Sequence, residues 1–254
     1  MTGTAFSELE LPRANMKIRQ HPPVRPRFRR ALFPISLDST SFRTSVVVPA
    51  LKPICKDYEE ILFLIADSLQ VYNKASAVGT LESLRTVLEN FENLRNEYLS
   101  QRSKWLARLR KMADPEGAVK WRVVSFYDFM DKEFWGVYRR VLLAFHTLDP
   151  LHRDIEQTAR EHREKRQSLG KPEMEQRLSE AYVLEEIALN IRVRVLESVE
   201  SEFYLGEYLP PLLTLYRGSY DVDVFTMAGL STREAQFRFF TLVEKNGKPS
   251  WQLL

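Results

Sequence analysis

The 254-residue chain has a formal net charge of +3, with 44% apolar and 28% charged residues, a composition that is ordinary for a globular protein. Its apolar runs fall far short of the roughly 18 residues that a spanning helix needs, so the sequence predicts no transmembrane segment. The single cysteine, Cys55, excludes an internal disulfide and a multi-thiolate metal site. It favours an intracellular, reducing compartment, and we expect the cytoplasm rather than an organelle.

The positive charge is concentrated near the N-terminus. Residues 1–52 hold nine basic and three acidic residues, and residues 1–53 hold seven of the thirteen prolines. Proline fixes φ, lacks an N–H and disfavours a helical conformation in the residue before it. The stretch HPPVRPRFRRALFP at residues 21–34 therefore excludes a continuous helix, and we predict an extended arginine- and proline-rich arm over residues 1–53.

The predicted arm has the composition of a docking segment. Apolar side chains are interleaved with its arginines, and a purely solubilising tail has no need of them. The residues predicted to contact a partner are Arg25, Arg27, Phe28, Arg29, Arg30 and Phe33. The alternatives are a proline motif on an aromatic groove, phosphate contacts with RNA, DNA or anionic lipid, an organelle-targeting segment, and a disordered tail.

Apolar residues recur at steps of three and four between residues 58 and 195, which predicts amphipathic helices. The connections are marked by ADPEG, by Asp149 before Pro150, and by GKPE. The four predicted helices cover about residues 58–79, 81–112, 123–145 and 178–195.

The second predicted helix has a heptad-like spacing, which indicates a long helix packed lengthwise against another. Arg95 and Arg102 interrupt its apolar stripe seven residues apart. One interpretation is that these charges specify register or partner. The other is that the stripe drifts around the helix, so that both arginines lie at its edge with their stems over apolar surface.

The sequence changes character after Gly206. Pro210 and Pro211 end the helical periodicity, and a short alternating stretch, SYDVDVF, predicts a strand. Residues 237–254 fit either a helix or two strands around Asn246 and Gly247, and we favour the β-hairpin. A small mixed α/β element is therefore predicted over residues 207–254.

A search for catalytic motifs finds none. No histidine has metal-ligand spacing, the nine glycines form no phosphate-binding loop, and no nucleophile elbow is present. Glu185 and Glu186, with Arg192 and Arg194 further along, are interpreted as a solvated helix face with intrahelical ion pairs. The sequence therefore predicts no enzyme, no cofactor and no metal site, although catalytic residues that are distant in sequence can still converge in a fold.

Together these patterns predict a mainly α protein: an elongated antiparallel long-helix bundle over residues 54–206, between the N-terminal arm and the C-terminal element. Long helices and a docking arm favour a non-catalytic scaffold or adaptor, held by coiled-coil-like packing in a complex with other protein subunits. The alternatives are a nucleic-acid-binding protein that uses the basic arm, and a helical scaffold on an anionic membrane surface. The sequence does not specify the oligomeric state.

Overall fold

Strands alternate with helices along most of the chain. The computed structural model describes residues 29–35, 44–66, 69, 72, 91–171, 173–205, 210–216, 238–245 and 248–253. The strands are β1 Arg30–Ile35, β2 Glu60–Ile65, β3 Lys120–Ser125, β4 Ser201–Tyr204, β5 Arg238–Lys245 and β6 Lys248–Leu253. The helices are α1 Thr44–Asp57, α2 Phe91–Ala113, α3 Lys132–Thr147, α4 Asp149–Ser168, α5 Gln176–Glu197 and α6 Pro210–Tyr216, with a 3-10 turn at Phe126–Phe129.

The six strands form one sheet in the order β3-β2-β1-β4-β5-β6. β1 pairs in parallel with both β2 and β4, β2 with β3, and β4 with β5, whereas β6 is antiparallel to β5. The chain builds outward from β1 to β3 and then returns to place β4 on the other side of β1. This reversal of strand order is the topological switch point of a doubly wound, Rossmann-like α/β fold.

Helices cover both faces of the sheet. Ala31, Phe33 and Ile35 of β1 lie in the apolar core beneath α1 and α2. Leu32, between them, lies in the core formed with α3, α4, α5 and α6. The central strands are therefore buried on both sides, which is why β2 is the continuous apolar run ILFLI after its first residue.

The predicted long-helix bundle is wrong. The first predicted helix begins with β2, and the third begins with β3 at residues 120–125. A short apolar run that is buried on all sides has no period that separates a parallel strand from a helix. Apolar residues do recur there at steps of three and four, but Leu62 and Ile65 belong to β2 and Val123 belongs to β3.

The predicted N-terminal arm is contradicted where the structure describes it. Residues 30–35 form a central strand, and residues 44–57 form α1, with Pro49 and Pro53 inside that helix. Phe33 is 0% exposed, so it packs inside its own subunit instead of contacting a partner. The positive charges are balanced by acids that are distant in sequence, because Arg29 pairs with Glu200 and Arg30 pairs with Glu60.

Several other sequence predictions agree with the structure. The fourth predicted helix lies within α5, and the chain restarts a helix near Asp149 and Pro150, with Leu148 at the N-cap. Gly170 ends α4 in the left-handed region at φ +65, as a helix-stopping glycine does. β5 and β6 form the predicted hairpin around residues 246–247, but they extend the same sheet as β1.

α5 packs against both α3 and α4 on one face of the sheet. Near its C-terminal end Arg194 forms an ion pair with Glu202 of β4, and the two side chains are 1% and 0% exposed. Glu197 in the same turn pairs with Arg30 of β1 and Arg122 of β3. These ion pairs fix the end of α5 against three strands.

We predict that breaking the buried Arg194–Glu202 pair strongly destabilises the fold. Arg194→Met leaves a buried carboxylate without its partner, which costs about 3–5 kcal/mol in the free energy of unfolding. The double variant Arg194→Met/Glu202→Leu leaves no buried charge and should recover much of that loss. Urea unfolding followed by circular dichroism measures both.

The matched control is the exposed His152–Glu156 pair of α4, whose side chains are 40% and 41% exposed. Glu156→Gln should change the free energy of unfolding by less than about 1 kcal/mol. A loss in Arg194→Met no larger than in this control would contradict the role given to the buried pair.

Candidate active site

The carboxyl ends of the parallel strands are where a doubly wound sheet forms its ligand-binding crevice. The C-terminal end of α5 lies at the opposite edge, because Glu197 pairs with Arg30, the first residue of β1. From Glu197 back to Tyr182 the helix rises roughly 22 Å at 1.5 Å per residue, about the length of a six-residue strand. The N-terminal half of α5 therefore lies beside the carboxyl edge of the sheet.

Polar aromatic and acidic side chains from four parts of the chain meet there. Glu185 is 8% exposed, and the hydroxyl of Tyr72, which follows β2, donates a hydrogen bond to its Oε2 at 2.7 Å. The ring of Tyr72 meets Tyr182 edge to face at a centroid distance of 6.1 Å. The residues of this site are Tyr72, Tyr138 of α3, His162 of α4, and Tyr182, Glu185 and Glu186 of α5.

Glu186 is the group in this site that is best suited to proton exchange. The carboxyl is half-buried, and this burial raises its pKa to about 7, against the opposing effect of a hydrogen bond with Tyr182. Tyr182 lies one helical turn earlier on α5, so the two side chains occupy the same face of the helix. A carboxyl group with a pKa near neutrality can both accept a proton and give it back under physiological conditions.

The second carboxyl, Glu185, makes the surroundings negative. Burial, followed by the charge of Glu185, raises the pKa of Tyr72 and the pKa of Tyr138 above the ordinary tyrosine value. Both hydroxyls therefore stay protonated and serve as hydrogen-bond donors. Two carboxyls and three phenols form a site that suits a positively charged group with N–H donors, such as a primary ammonium.

A metal ion has no ligand set in the part of the chain that the structure describes, where no three His, Cys, Asp or Glu residues are grouped to hold one. The described helices also include none that combines the length and the apolar character needed to cross a bilayer. Cys55 is half-buried, and burial raises the pKa of its thiol to about 12, so this thiol remains protonated and unreactive at neutral pH.

The residues predicted from sequence to bind a partner lie elsewhere. Arg29 is half-exposed and its guanidinium lies over the ring of Tyr58, while Arg30 pairs with Glu60 and Glu197 at the amino edge of the sheet. The other predicted contacts, Arg25, Arg27 and Phe28, lie outside the described residues.

Two further arginines were predicted to specify register or partner. Arg95 and Arg102 both belong to α2, and the structure leaves their side chains undescribed. That role therefore stays a prediction.

The site was not predicted from the sequence, because Glu185 and Glu186 were expected on a solvated helix face. Their supposed ion-pair partners face other elements: Arg192 pairs with Asp131 at the start of α3, and Arg194 pairs with Glu202. The available signal was a pair of acids inside AYVLEEIALNI, an otherwise apolar stretch. A helix that is apolar on all sides is buried, so acids within it are candidates for function.

Solved structures with a similar fold exist, although the sequence itself matches no family model and no curated protein. A CDPS, or cyclodipeptide synthase, from Fluoribacter dumoffii matches the structure with a TM-score of 0.62 at 15% identity, covering 74% of this chain and 82% of that chain. A cyclodipeptide synthase from Candidatus Glomeribacter gigasporarum, solved bound to Phe-tRNAPhe, matches with a TM-score of 0.58 at 15% identity over 86% of this chain and 89% of that one. This chain has the fold of the cyclodipeptide synthases.

A third solved structure of the same kind, a cyclo(L-leucyl-L-phenylalanyl) synthase, has a TM-score of 0.54 at 18% identity over 74% of this chain and 82% of that chain. These proteins are enzymes. The prediction of a non-catalytic scaffold or adaptor is therefore wrong, and so are the helical-bundle and coiled-coil descriptions on which it depended. The likeness gives no support to the predicted protein partner subunits.

The link between Tyr182 and Glu186 is directly testable. Tyr182→Phe removes the hydrogen bond that opposes the effect of burial, so the pKa of Glu186 should rise further above 7. Carbon-13 labelling of glutamate side chains and an NMR titration measure it, with Glu186→Gln assigning the resonance. Tyr58→Phe is the control, because it removes a buried phenol hydroxyl that donates to Ser201 Oγ at 2.7 Å at the amino edge, and it should leave the titration of Glu186 unchanged. A Glu186 pKa that falls or stays constant in Tyr182→Phe would contradict the assigned hydrogen bond.

Proposed function

We propose that this protein is an enzyme that takes two aminoacyl groups from aminoacyl-tRNA and joins them into a cyclic dipeptide. The observation that carries the proposal is a carboxyl group with a pKa near 7, Glu186, beside the switch point of a fold shared with cyclodipeptide synthases. That position is the one at which doubly wound folds bind their ligands.

The chemistry of the site fits this substrate. An aminoacyl ester carries a primary α-ammonium, and the carboxylate of Glu186 with the hydroxyl of Tyr182 can bind its N–H groups. When Glu186 accepts a proton from that ammonium, the neutral amine becomes a nucleophile. Each peptide bond that forms breaks one aminoacyl ester, so two peptide bonds close the ring and two tRNA 3′-terminal hydroxyls are released.

A hydroxyl side chain follows β1 in the sequence. Ser36 comes directly after Ile35, in the hydroxyl-rich stretch SLDSTS, outside the described residues. Since the loop after the first strand commonly supplies ligand contacts at a switch point, we propose Ser36 as the group that accepts the first aminoacyl chain as an ester. Acyl transfer through a serine splits one difficult step into two easier ones.

The nucleic-acid partner of the proposed reaction needs a cationic surface, and α2 offers one. Lys104, Arg108 and Lys111 are exposed and follow each other at steps of four and three, on one face of the helix. Leu106 and Leu109, on the opposite face, are buried against the sheet. We propose that this basic face, composed of Lys104, Arg108 and Lys111, contacts tRNA phosphates.

The proposed activity predicts a specific product and a specific pH dependence. Incubation of the protein with total tRNA charged with amino acids should yield cyclic dipeptides detected by mass spectrometry, with kcat/KM rising as pH rises through about 7, because the carboxylate form of Glu186 accepts the proton. Glu186→Gln should lower the rate by about 100-fold or more, since general bases contribute about 10²–10⁴-fold. Ser36→Ala should abolish an aminoacyl-protein adduct detected after acid quenching.

The control for Glu186→Gln is Glu156→Gln on an exposed part of α4, which should retain full activity. Absence of cyclic dipeptides with every charged tRNA would contradict the proposed function. Full activity of Glu186→Gln would contradict the role of this carboxyl while leaving the reaction itself intact.

The basic face of α2 gives a separate prediction for RNA binding. The triple variant Lys104→Glu/Arg108→Glu/Lys111→Glu should bind tRNA at least ten-fold more weakly, and its affinity should depend less steeply on salt, because each lost phosphate contact reduces the slope by about 1. Filter binding at several salt concentrations measures both quantities.

A matched charge change elsewhere keeps this test specific. Lys132, Arg139 and Arg160 are exposed residues of α3 and α4, and replacing all three with Glu changes the net charge by the same amount. Equal losses of affinity in the two triple variants would indicate a general charge effect and would contradict a phosphate-binding face on α2.

A further inference from the structure

We propose that His162 is a positioning residue that holds the ring of Tyr182 in place, so that its hydroxyl stays directed at Glu186. The inference rests on the proposed function, because it assigns His162 a task in the site where that reaction would occur. His162 comes from α4, whereas Tyr182 and Glu186 come from α5. The position of Tyr182 and Glu186 on α5 therefore depends on a side chain of α4.

The two rings are stacked. The imidazole of His162 lies against the phenol of Tyr182 with a centroid distance of 4.6 Å and an angle of 15° between the planes. Tyr72 contacts the same phenol edge to face, at 6.1 Å and 79°. A phenol that is contacted by one parallel ring and one perpendicular ring has little freedom to rotate, since either rotation would break a favourable aromatic arrangement.

The imidazole is itself held by a hydrogen bond. Ser179 is fully buried, and its hydroxyl donates to the backbone carbonyl of Ala159 at 2.9 Å. Because the hydroxyl proton of Ser179 is donated to that carbonyl, Ser179 Oγ accepts a hydrogen bond from His162 Nδ1 at 3.1 Å. This chain of two hydrogen bonds fixes both the tautomer, with the proton on Nδ1, and the plane of the ring.

The surroundings keep this imidazole neutral. Burial, followed by the positive charges of Arg166, Lys165 and Lys171, lowers the pKa of His162 to about 4. A neutral ring therefore stacks on Tyr182 without bringing a positive charge into the site, where a cation would lower the pKa of a nearby carboxyl.

The consequence is a geometric one. A catalytic group that is displaced by about 1 Å can lose roughly 100-fold in rate, and the hydroxyl of Tyr182 is at the far end of a rotatable side chain. Without the stacked imidazole, the phenol is free to turn away from Glu186. The hydrogen bond that opposes the effect of burial on Glu186 is then made for a smaller fraction of the time.

The test uses two replacements of His162. His162→Ala removes the stacked ring and its hydrogen bond to Ser179. We expect kcat to fall about ten-fold with little change in KM. We also expect the pKa of Glu186 to rise towards its value in Tyr182→Phe. His162→Phe restores a stacking ring without the hydrogen bond to Ser179, and should recover most of both properties. The rates come from the cyclic-dipeptide assay, and the pKa comes from carbon-13 NMR of labelled glutamate.

The structure provides a matched control on the same helix. His152 stacks on Phe145 at 4.5 Å and 22°, and its Nδ1 contacts the carbonyl of Phe145 at 3.1 Å. His152→Ala therefore removes an equivalent stacked imidazole away from the site. It should lower stability to a comparable degree while leaving both kcat and the pKa of Glu186 unchanged.

The NMR measurement separates this inference from the proposed function. If the protein makes no cyclic dipeptide, the proposed function fails, yet a raised Glu186 pKa in His162→Ala with rescue in His162→Phe would still support the positioning role. An unchanged Glu186 pKa in folded His162→Ala would overturn the inference, whether or not the enzyme is active. A change of equal size in His152→Ala would overturn it as well, because it would show a general effect of lost packing.

Discussion

The buried ion pair between Arg194 and Glu202 is the constraint on which the position of the candidate site depends. A charge without its partner at 0% or 1% exposure is costly, so the C-terminal end of α5 has one place in which to lie against β4. Glu197, held by Arg30 and Arg122, secures the same end to β1 and β3. With that end fixed at the amino edge of the strands, the 22-residue helix places its N-terminal half at the carboxyl edge.

The fold separates two carboxyls that are neighbours in sequence into different environments. Glu185 is buried and accepts a hydrogen bond from Tyr72, whereas Glu186 is half-buried, which raises the pKa of its carboxyl to about 7 against the opposing effect of a hydrogen bond with Tyr182. Neighbouring carboxyls in different environments can take different roles in an acid-base site. Here the charge of Glu185 adds to the effect of burial in raising the pKa of Tyr72 and of Tyr138, and Glu186 is the group suited to proton exchange.

The parts of this protein whose periodicity has one interpretation could be predicted from the sequence. The apolar stripe of α5, the helix restart near Pro150 and the hairpin around residues 246–247 were all recognisable. β2 was not, because ILFLI fits a buried strand as well as a turn and a half of helix. β1 was not recognised, because arginines and prolines around it suggested an extended arm. The acidic partners of Arg29 and Arg30, Glu200 and Glu60, lie 30 or more residues away in the sequence.

The site was less predictable than the fold. Tyr182 and Glu186 stand four residues apart in a helical stretch, a spacing shared with any amphipathic helix, and Tyr72 and His162 join them only through the packing of separate elements. What distinguishes Glu186 is the pKa that partial burial raises to about 7, and a single sequence points to it only after the surrounding helix is recognised as apolar on all sides. The acids within an apolar helix were therefore a visible signal for function, but they could be interpreted only once α5 was known to be packed between other helices and the sheet.

The most direct test of this account is a crystal structure of the protein with a non-hydrolysable aminoacyl-adenosine, in which an amide replaces the ester to the terminal ribose of tRNA. The account predicts that the α-ammonium of this compound lies within hydrogen-bond distance of the Glu186 carboxylate and the Tyr182 hydroxyl, at the carboxyl edge of β1 and β4. An aminoacyl group bound elsewhere, with Glu186 and Tyr182 free of contact, would contradict it.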